Sequence, residues 1–167
     1  EAFIERIKFI HDNMQMDAIA EEYIDGREFY AGVMGHKQVT LLPPREMLFT
    51  NFPEGEPRIA TYKAKWDDDY RKKWGIKSVD AAKISNGLLA KVEDVCKRAY
   101  RALDMDSYVR FDIRVTPQEE VYIIEPNANP CIAKIDEIAQ SALKAGISYE
   151  DLIQKVLDLA ILRHEHQ

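Results

Sequence analysis

The residues best suited to chemistry lie in two short runs. The first is Tyr108-Val109-Arg110-Phe111-Asp112-Ile113-Arg114-Val115, and the second is Val121-Tyr122-Ile123-Ile124-Glu125-Pro126-Asn127-Ala128-Asn129-Pro130. Thr116 to Glu120 separate them, and Pro117 marks a turn. Both runs are rich in β-branched and aromatic residues, so a strand pair is expected. Side chains alternate faces along a strand, which puts Arg110, Asp112 and Arg114 on one side and Phe111, Ile113 and Val115 on the other. On the second strand the same rule groups Val121, Ile123, Glu125 and Asn127. With Thr116 opposite Val121, Asp112 falls opposite Glu125. Two carboxylates and an amide oxygen then converge, with a guanidinium beside them.

Like charges directly opposite in a sheet repel, so such a pair calls for a cation or a proton between the groups. Hard oxygen donors from Asp, Glu and Asn suit Mg2+, which keeps some waters and shares substrate phosphates. Arg110 on the same face can clamp a phosphate oxygen. The local chemistry reads as a magnesium–polyphosphate site. A solvated strand face of mixed charge has the same Arg-x-Asp-x-Arg pattern, and spacing alone leaves both readings open.

The elements that must position these residues follow from periodicity. Phe3, Ile4, Ile7, Ile10 and Met14 recur at helical spacing, so an amphipathic helix packed on the core is expected. Ile19 to Ile24 reads as a strand, Asp25-Gly26 as a turn, and Glu28 to Val33, Gln38 to Leu42 and Arg45 to Thr50 as further strands. Pro43-Pro44 stops the third of these four, and 51–57 is a loop. Ala60 to Trp66 reads as extended, with Lys63 and Lys65 on one face, and Asp67 to Val79 as an irregular surface segment anchored by Trp74. Ser85 is a good cap for a helix whose buried stripe is Leu88, Leu89, Val92, Val95, Cys96, Ala99 and Leu103. Another helix runs from about Asp136 to Lys144 and stops at Gly146. Ser148 and Asp151 resemble a capping box for a last helix that buries Leu152, Ile153, Val156, Leu157, Ala160 and Ile161. His164 and His166 read as a solvated tail.

At 167 residues the chain fits one domain, 1–167, with a sizeable core. A net charge of −6 argues against a nucleic-acid or membrane-surface binder, which would carry a basic face. Cys96 and Cys131 form no CxxC pair, so a zinc site is not expected. No apolar run approaches a membrane span and no signal peptide opens the chain, so a reduced, cytoplasmic setting is expected.

Arg110-x-Asp112 followed by Glu125-x-Asn127-x-Asn129-Pro130 resembles the metal-binding end of the ATP-grasp superfamily, in particular its D-alanine–D-alanine ligase group. Glu21 to Phe29 is similar to that family's adenine-and-ribose segment, Tyr62-Lys63-Ala64-Lys65-Trp66 to its phosphate-contacting stretch, and Ala145 to Tyr149 to the start of its last helix. The four matches keep the family's order. The resemblance implies an α+β fold, the ATP-grasp carboxyl-terminal subdomain, with a mostly antiparallel sheet and helices packed on it. It implies ATP and Mg2+ as cofactors. Glu21, Glu22, Tyr23 and Ile24 would meet the adenine through backbone groups, Glu28 the ribose and Lys65 the phosphates, while Asp112, Glu125 and Asn127 would hold the metal and Arg110 would act in catalysis.

The implied activity is that of a carboxylate–amine ligase working through an acyl phosphate on small-molecule substrates. A nucleotide-binding or assembly module without turnover of its own is the alternative. A third reading is a structural domain in which Asp112 and Glu125 pair with Arg110 and Arg114. No glycine-rich phosphate loop precedes Glu21, so the leading domain and glycine-rich first subdomain of the family are expected to lie outside this chain, leaving it inactive in isolation. A homodimer is a further expectation. Two departures stand out. Cys131 occupies the position after Asn-x-Asn-Pro where the family usually has Gly, which bears on substrate fit. Pro126 removes a ladder donor, which places it at an edge or a cleft.

Overall fold

The computed structural model describes residues 1–165, so His166 lies outside the described residues. Six antiparallel strands form one sheet: β1 (Arg27–Gly35), β2 (Val39–Leu41), β3 (Arg45–Phe49), β4 (Ile76–Asp80), β5 (Ser107–Val115) and β6 (Val121–Asn127). The order across the sheet is β4-β3-β1-β5-β6, and β2 pairs with the far end of β1. Six α-helices accompany it among the described residues: α1 (Ala2–Phe9), continued by a π-helical turn at Ile10–Met14, α2 (Tyr62–Trp66), α3 (Asp68–Trp74), α4 (Asn86–Ala102), α5 (Glu137–Lys144) and α6 (Tyr149–Glu165).

Strand alternation divides the core. Phe29, Ala31 and Val33 of β1 and Val109, Phe111, Ile113 and Val115 of β5 face α4, where Leu88, Val92, Cys96 and Tyr100 close the layer. The helix begins at Ser85, whose Oγ accepts from the Leu88 N–H at 3.0 Å. Its stripe is narrower than the periodicity implies: Leu89 and Leu103 are exposed, and Tyr100 is buried with its hydroxyl donating to the Gly35 carbonyl. Burial also pushes the Cys96 thiol up to about 12, so this cysteine is an inert core residue.

On the opposite face Met34 and Leu42 pack with Ile138, Ala139 and Ala142 of α5 and Leu152 of α6. Gly32 makes this approach close enough, because a Cβ there would sit 2.9 Å from the Ile138 Cδ1. Tyr30 and Met47 pack with Ala64 of α2 and with Ile76. Between the two clusters the sheet face is left open, and it carries the charged residues.

Several expectations are corrected. Residues 19–24 form no strand; the segment runs alongside the sheet without a ladder, for reasons given below. Residues 62–66 are helical, because Thr61 Oγ1 accepts from the Ala64 N–H at 3.3 Å and starts a turn. In a helix, residues two apart do not share a face, so Lys63 and Lys65 diverge. Residues 67–79 are regular: Asp67 caps α3 by accepting from the Tyr70 N–H at 2.9 Å, acids fill its first turn and bases its last, and Gly75 ends it in the left-handed region. The alternating charges that look irregular are ordered to suit the helix dipole. Trp74 does anchor this region, edge-on to Phe52 and Tyr70. Helix α1 buries no residue, and Phe3, Ile4 and Phe9 are exposed. No helix among the described residues is long and apolar enough to cross a membrane.

At the start of α6 the N-cap half of the expected capping box forms: Ser148 Oγ accepts from the Asp151 N–H at 3.1 Å, and its hydroxyl donates to the Asp151 carboxylate at 2.7 Å. The predicted buried face does not extend along it. Leu152 is 0% exposed, whereas Leu157 is 54% and Ile161 57% exposed, because the helix overruns the edge of the sheet-covered core. Leu152→Ala is therefore expected to cost about 2–5 kcal/mol, and Leu157→Ala within about 0.5 kcal/mol of zero. Denaturant unfolding of the two variants checks this contrast.

Candidate nucleotide- and metal-binding cleft

The open part of the sheet is the floor of a cleft of about 520 Å³. It is lined by Glu28 of β1, Asp112 and Arg114 of β5, residues 122–125 of β6, Lys65 of α2, and the outer segments 21–24 and 59–60. Eight of the ten residues singled out from the sequence line it: Glu21, Glu22, Tyr23, Ile24, Glu28, Lys65, Asp112 and Glu125. Arg110 and Asn127 do not line it; they pair with each other across β5 and β6, one step along from Asp112 and Glu125.

The β5–β6 register has a feature that alternation could not supply. At the turn Val115, not Thr116, pairs with Val121, and Ile113 pairs with Ile123. Asp112 nevertheless pairs with Glu125, because Ile124 is an extra, bulged residue. Of the four residues grouped by alternation, Val121 and Ile123 pack against the α4 core, while Glu125 and Asn127 share the face of Asp112; Tyr122, opposite Arg114, also lies on the cleft face. The expected grouping of all four on one face is corrected accordingly. Pro126 sits in the edge strand, where a missing N–H is tolerated.

Asp112 is the hub. Its carboxylate accepts from Arg110 Nε at 2.7 Å and Nη2 at 3.1 Å, and from the Asn127 amide nitrogen at 3.2 Å. Lys65 Nζ lies 3.9 Å from it. Arg110 is held in turn by Glu137 at 3.2 Å, and its guanidinium carbon stacks 4.8 Å from the Tyr30 ring centre. Glu125 is exposed and makes no salt bridge or side-chain hydrogen bond among the described residues. The proposed pairing of Asp112 and Glu125 with Arg110 and Arg114 is thus found only for Asp112 with Arg110. Arg114 binds Glu28 instead, at 2.9 Å.

Asp112 pairs with Glu125 across the strands and contacts the Asn127 amide, and oxygen donors of these types suit a hard divalent ion. Among the described residues no group of three or more His, Cys, Asp and Glu could hold a metal, so the amide of Asn127 and the phosphates of a ligand would have to complete any shell. As oriented, Asn127 turns its nitrogen toward Asp112; rotation of the amide would offer its oxygen.

Sequence reasoning did not identify Tyr30, Arg58, Glu137 or the role of Arg114. Alternation from Glu28 and Asp112 could have found Tyr30 and Arg114. Glu137 and Arg58 carry no signal, because they reach the site only through tertiary packing.

Comparison with known proteins agrees with this architecture. The structure resembles a D-alanine–D-alanine ligase from Bacillus anthracis solved with ATP (TM-score 0.73, 20% identity, 98% of this chain and 49% of that chain). It also resembles the D-alanine–D-alanine ligase of Coxiella burnetii (TM-score 0.76, 19% identity, 99% of this chain and 40% of that chain). The fold is thus the carboxyl-terminal part of an ATP-grasp ligase fold. A family model described as D-ala D-ala ligase C-terminus matches residues 2–158, and the chain belongs to that family. A D-alanine–D-alanine ligase of Oceanobacillus iheyensis is 30% identical over 158 residues, covering 93% of this chain and 40% of the relative. Protein y4sG of Sinorhizobium fredii is also 30% identical over 158 residues, covering 95% of this chain and 45% of the relative. The chain spans less than half the length of these relatives.

Burial lifts the Asp112 carboxyl above its ordinary range, and Glu125 adds to this, against the opposing pull of Arg110 and Lys65. Burial likewise lifts Glu28, against Arg114 and Tyr30. A carboxyl with a raised folded pKa holds its proton more tightly in the native state than in the unfolded chain. Its contribution to stability is present below the unfolded pKa and is lost as pH rises through the folded one. The difference in unfolding free energy, wild type minus Asp112→Asn, is therefore expected to shift in favour of wild type on acidification through the window above the ordinary Asp range. A difference that stays flat with pH would refute the shift.

Proposed function

We propose that this chain is the ATP- and Mg2+-binding carboxyl-terminal portion of a carboxylate–amine ligase, acting with an upstream part of the same protein. The observation that carries this reading is the placement of Asp112 against Glu125 on a cleft floor, with Lys65 beside them. Asp112, Glu125 and Asn127 would hold Mg2+, which when bound neutralises phosphate charge. The outer segment 21–24 lines the cleft, and its backbone groups would meet an adenine edge. Glu28, a buried acceptor on the cleft wall, suits the ribose hydroxyls. Lys65 supplies a compact positive charge for the phosphates.

In the reaction a substrate carboxylate oxygen attacks the γ-phosphorus of ATP and ADP leaves, giving an acyl phosphate. An amine then attacks the acyl carbon, phosphate leaves, and the amine proton is lost to give an amide. Such steps depend chiefly on positioning and on charge stabilisation. Arg110, held between Asp112 and Glu137, would stabilise charge on the transferring group and on the later oxyanion. The substrates are an amino acid or other small carboxylate and an amine. Cys131, exposed and directly after Pro130, would bear on substrate fit.

The test is Mg2+-dependent ADP release by the native-length protein. Arg110→Gln is expected to lower turnover by about 10²–10³, the size seen when one charge-stabilising donor is lost, and Glu125→Gln to weaken the Mg2+ dependence. Unchanged turnover in Glu125→Gln excludes the metal assignment, and nucleotide binding without turnover in wild type supports a binding module instead.

A further inference from the structure

Arg114 is a charged residue only 4% exposed, on the nucleotide side of the cleft. Its guanidinium reaches three separate pieces of chain. Nη2 donates to Glu28 Oε2 on β1 at 2.9 Å and to the Arg58 carbonyl. Nη1 donates to the Tyr23 hydroxyl at 3.4 Å, the Ile24 carbonyl at 3.3 Å and the Gly26 carbonyl at 3.5 Å. The Tyr23 ring stacks 5.1 Å from the guanidinium carbon, and its hydroxyl accepts from the Arg58 N–H at 3.2 Å.

Neither 21–25 nor 57–61 belongs to a strand. The hydrogen bonds that fasten residues 23–26 to the rest of the cleft outside the sheet converge on Arg114 and the Tyr23 hydroxyl. Gly26 allows the chain to leave β1 here: its φ is +152°, and a Cβ would lie 2.1 Å from the Val115 carbonyl oxygen. The outer wall of the cleft is thus held by two side chains, Arg114 and Tyr23, rather than by a ladder.

We propose that Arg114 is a positioning residue for the nucleoside half of the ligand: by tying residues 23–26 and 58 to Glu28, it sets the spacing between the adenine-facing wall and the ribose-facing carboxylate. This rests on the reading of the cleft as an ATP site. The phosphate end is built from other groups, Lys65, Asp112 and Glu125, none of which bonds Arg114. Arg114 therefore acts on recognition of the nucleoside and not on that of the polyphosphate. A guanidinium is suited to the task because its five planar donors can serve several carbonyls at once, which an ammonium cannot.

The test compares Mg2+ with ATP and Mg2+ with inorganic tripolyphosphate, by calorimetry on the native-length protein. Arg114→Lys keeps a positive charge beside buried Glu28 and loses the fork. It is expected to weaken ATP by about tenfold, the scale of one or two lost hydrogen bonds, and to leave tripolyphosphate within about twofold of wild type. Tyr23→Phe removes only the hydroxyl and is expected to act in the same selective direction, more weakly; it decides the matter if Arg114→Lys does not fold. Equal loss of both ligands, or loss of neither, overturns the positioning role while leaving the ATP site standing. A wild-type protein that binds neither ligand, or binds ATP no better than tripolyphosphate, overturns the nucleotide reading and this proposal with it.

Discussion

One unpaired residue in an edge strand decides what this sheet can do. The β5–β6 hairpin leaves its turn with Val115 opposite Val121, a register that, if continued, would put Ile124 opposite Asp112 and Glu125 opposite Phe111. Phe111 is fully buried against the α4 layer. A carboxylate forced into that layer would lose its hydration with nothing to replace it, at a cost of several kcal/mol. The bulge at Ile124 removes the conflict. It keeps Val121 and Ile123 in the apolar layer and turns Glu125 and Asn127 to the other side. The sequence Val-Tyr-Ile-Ile-Glu thus serves two faces in succession, and the acids meet because of the offset.

The same feature shows what could be read from the chain and what could not. Alternation placed Arg110, Asp112 and Arg114 together, and the pairing of Asp112 with Glu125 was expected, although through a turn register one residue away from the observed one. Strands β1 and β3 and helices α4 and α5 were legible because their patterns are long or their caps clear. Segments governed by local capping were misread. Thr61 and Asp67 are caps whose short helices contain too few apolar residues to show a period. The strand expected at 19–24 fails for a tertiary reason: the carbonyls of Ile24 and Gly26, which a strand would give to a neighbour, accept from Arg114, a residue 90 and 88 positions away. Amphipathicity likewise specifies a helix face without specifying what covers it. Phe3 and Ile4 of α1 and Leu157 and Ile161 of α6 are exposed for that reason.

Electrostatics give the cleft its character. Each buried charge on its floor already has a counterion: Arg110 for Asp112, Arg114 for Glu28, Glu137 for the other side of Arg110. Glu125 is the exception, exposed and without such a partner among the described residues. A buried pair is stable only while both members stay matched, since removing one leaves an uncompensated charge. A cation entering beside Glu125 would therefore compete with Arg110 and Lys65 for Asp112 rather than meet a bare carboxylate. An incoming phosphate would give Arg110 and Lys65 new partners in the same exchange. On the proposed reading, cation and phosphate would therefore favour each other's entry.

The two walls of the cleft are held by different means, and this bears on how each can respond to a ligand. The Asp112–Glu125 side is built on paired strands, whose backbone bonds fix the side chains to the pleat of the sheet. The Tyr23–Ile24 side has no ladder and depends on a guanidinium, a hydroxyl and a stacked ring. Side-chain bonds at distances of 3.3 to 3.5 Å are weaker constraints than a strand register. The outer wall is therefore the part able to adjust to what enters, while the floor keeps its charges in place. On the proposed reading, recognition of the large, shaped part of a ligand would fall to the adjustable wall, and the handling of charge to the rigid floor.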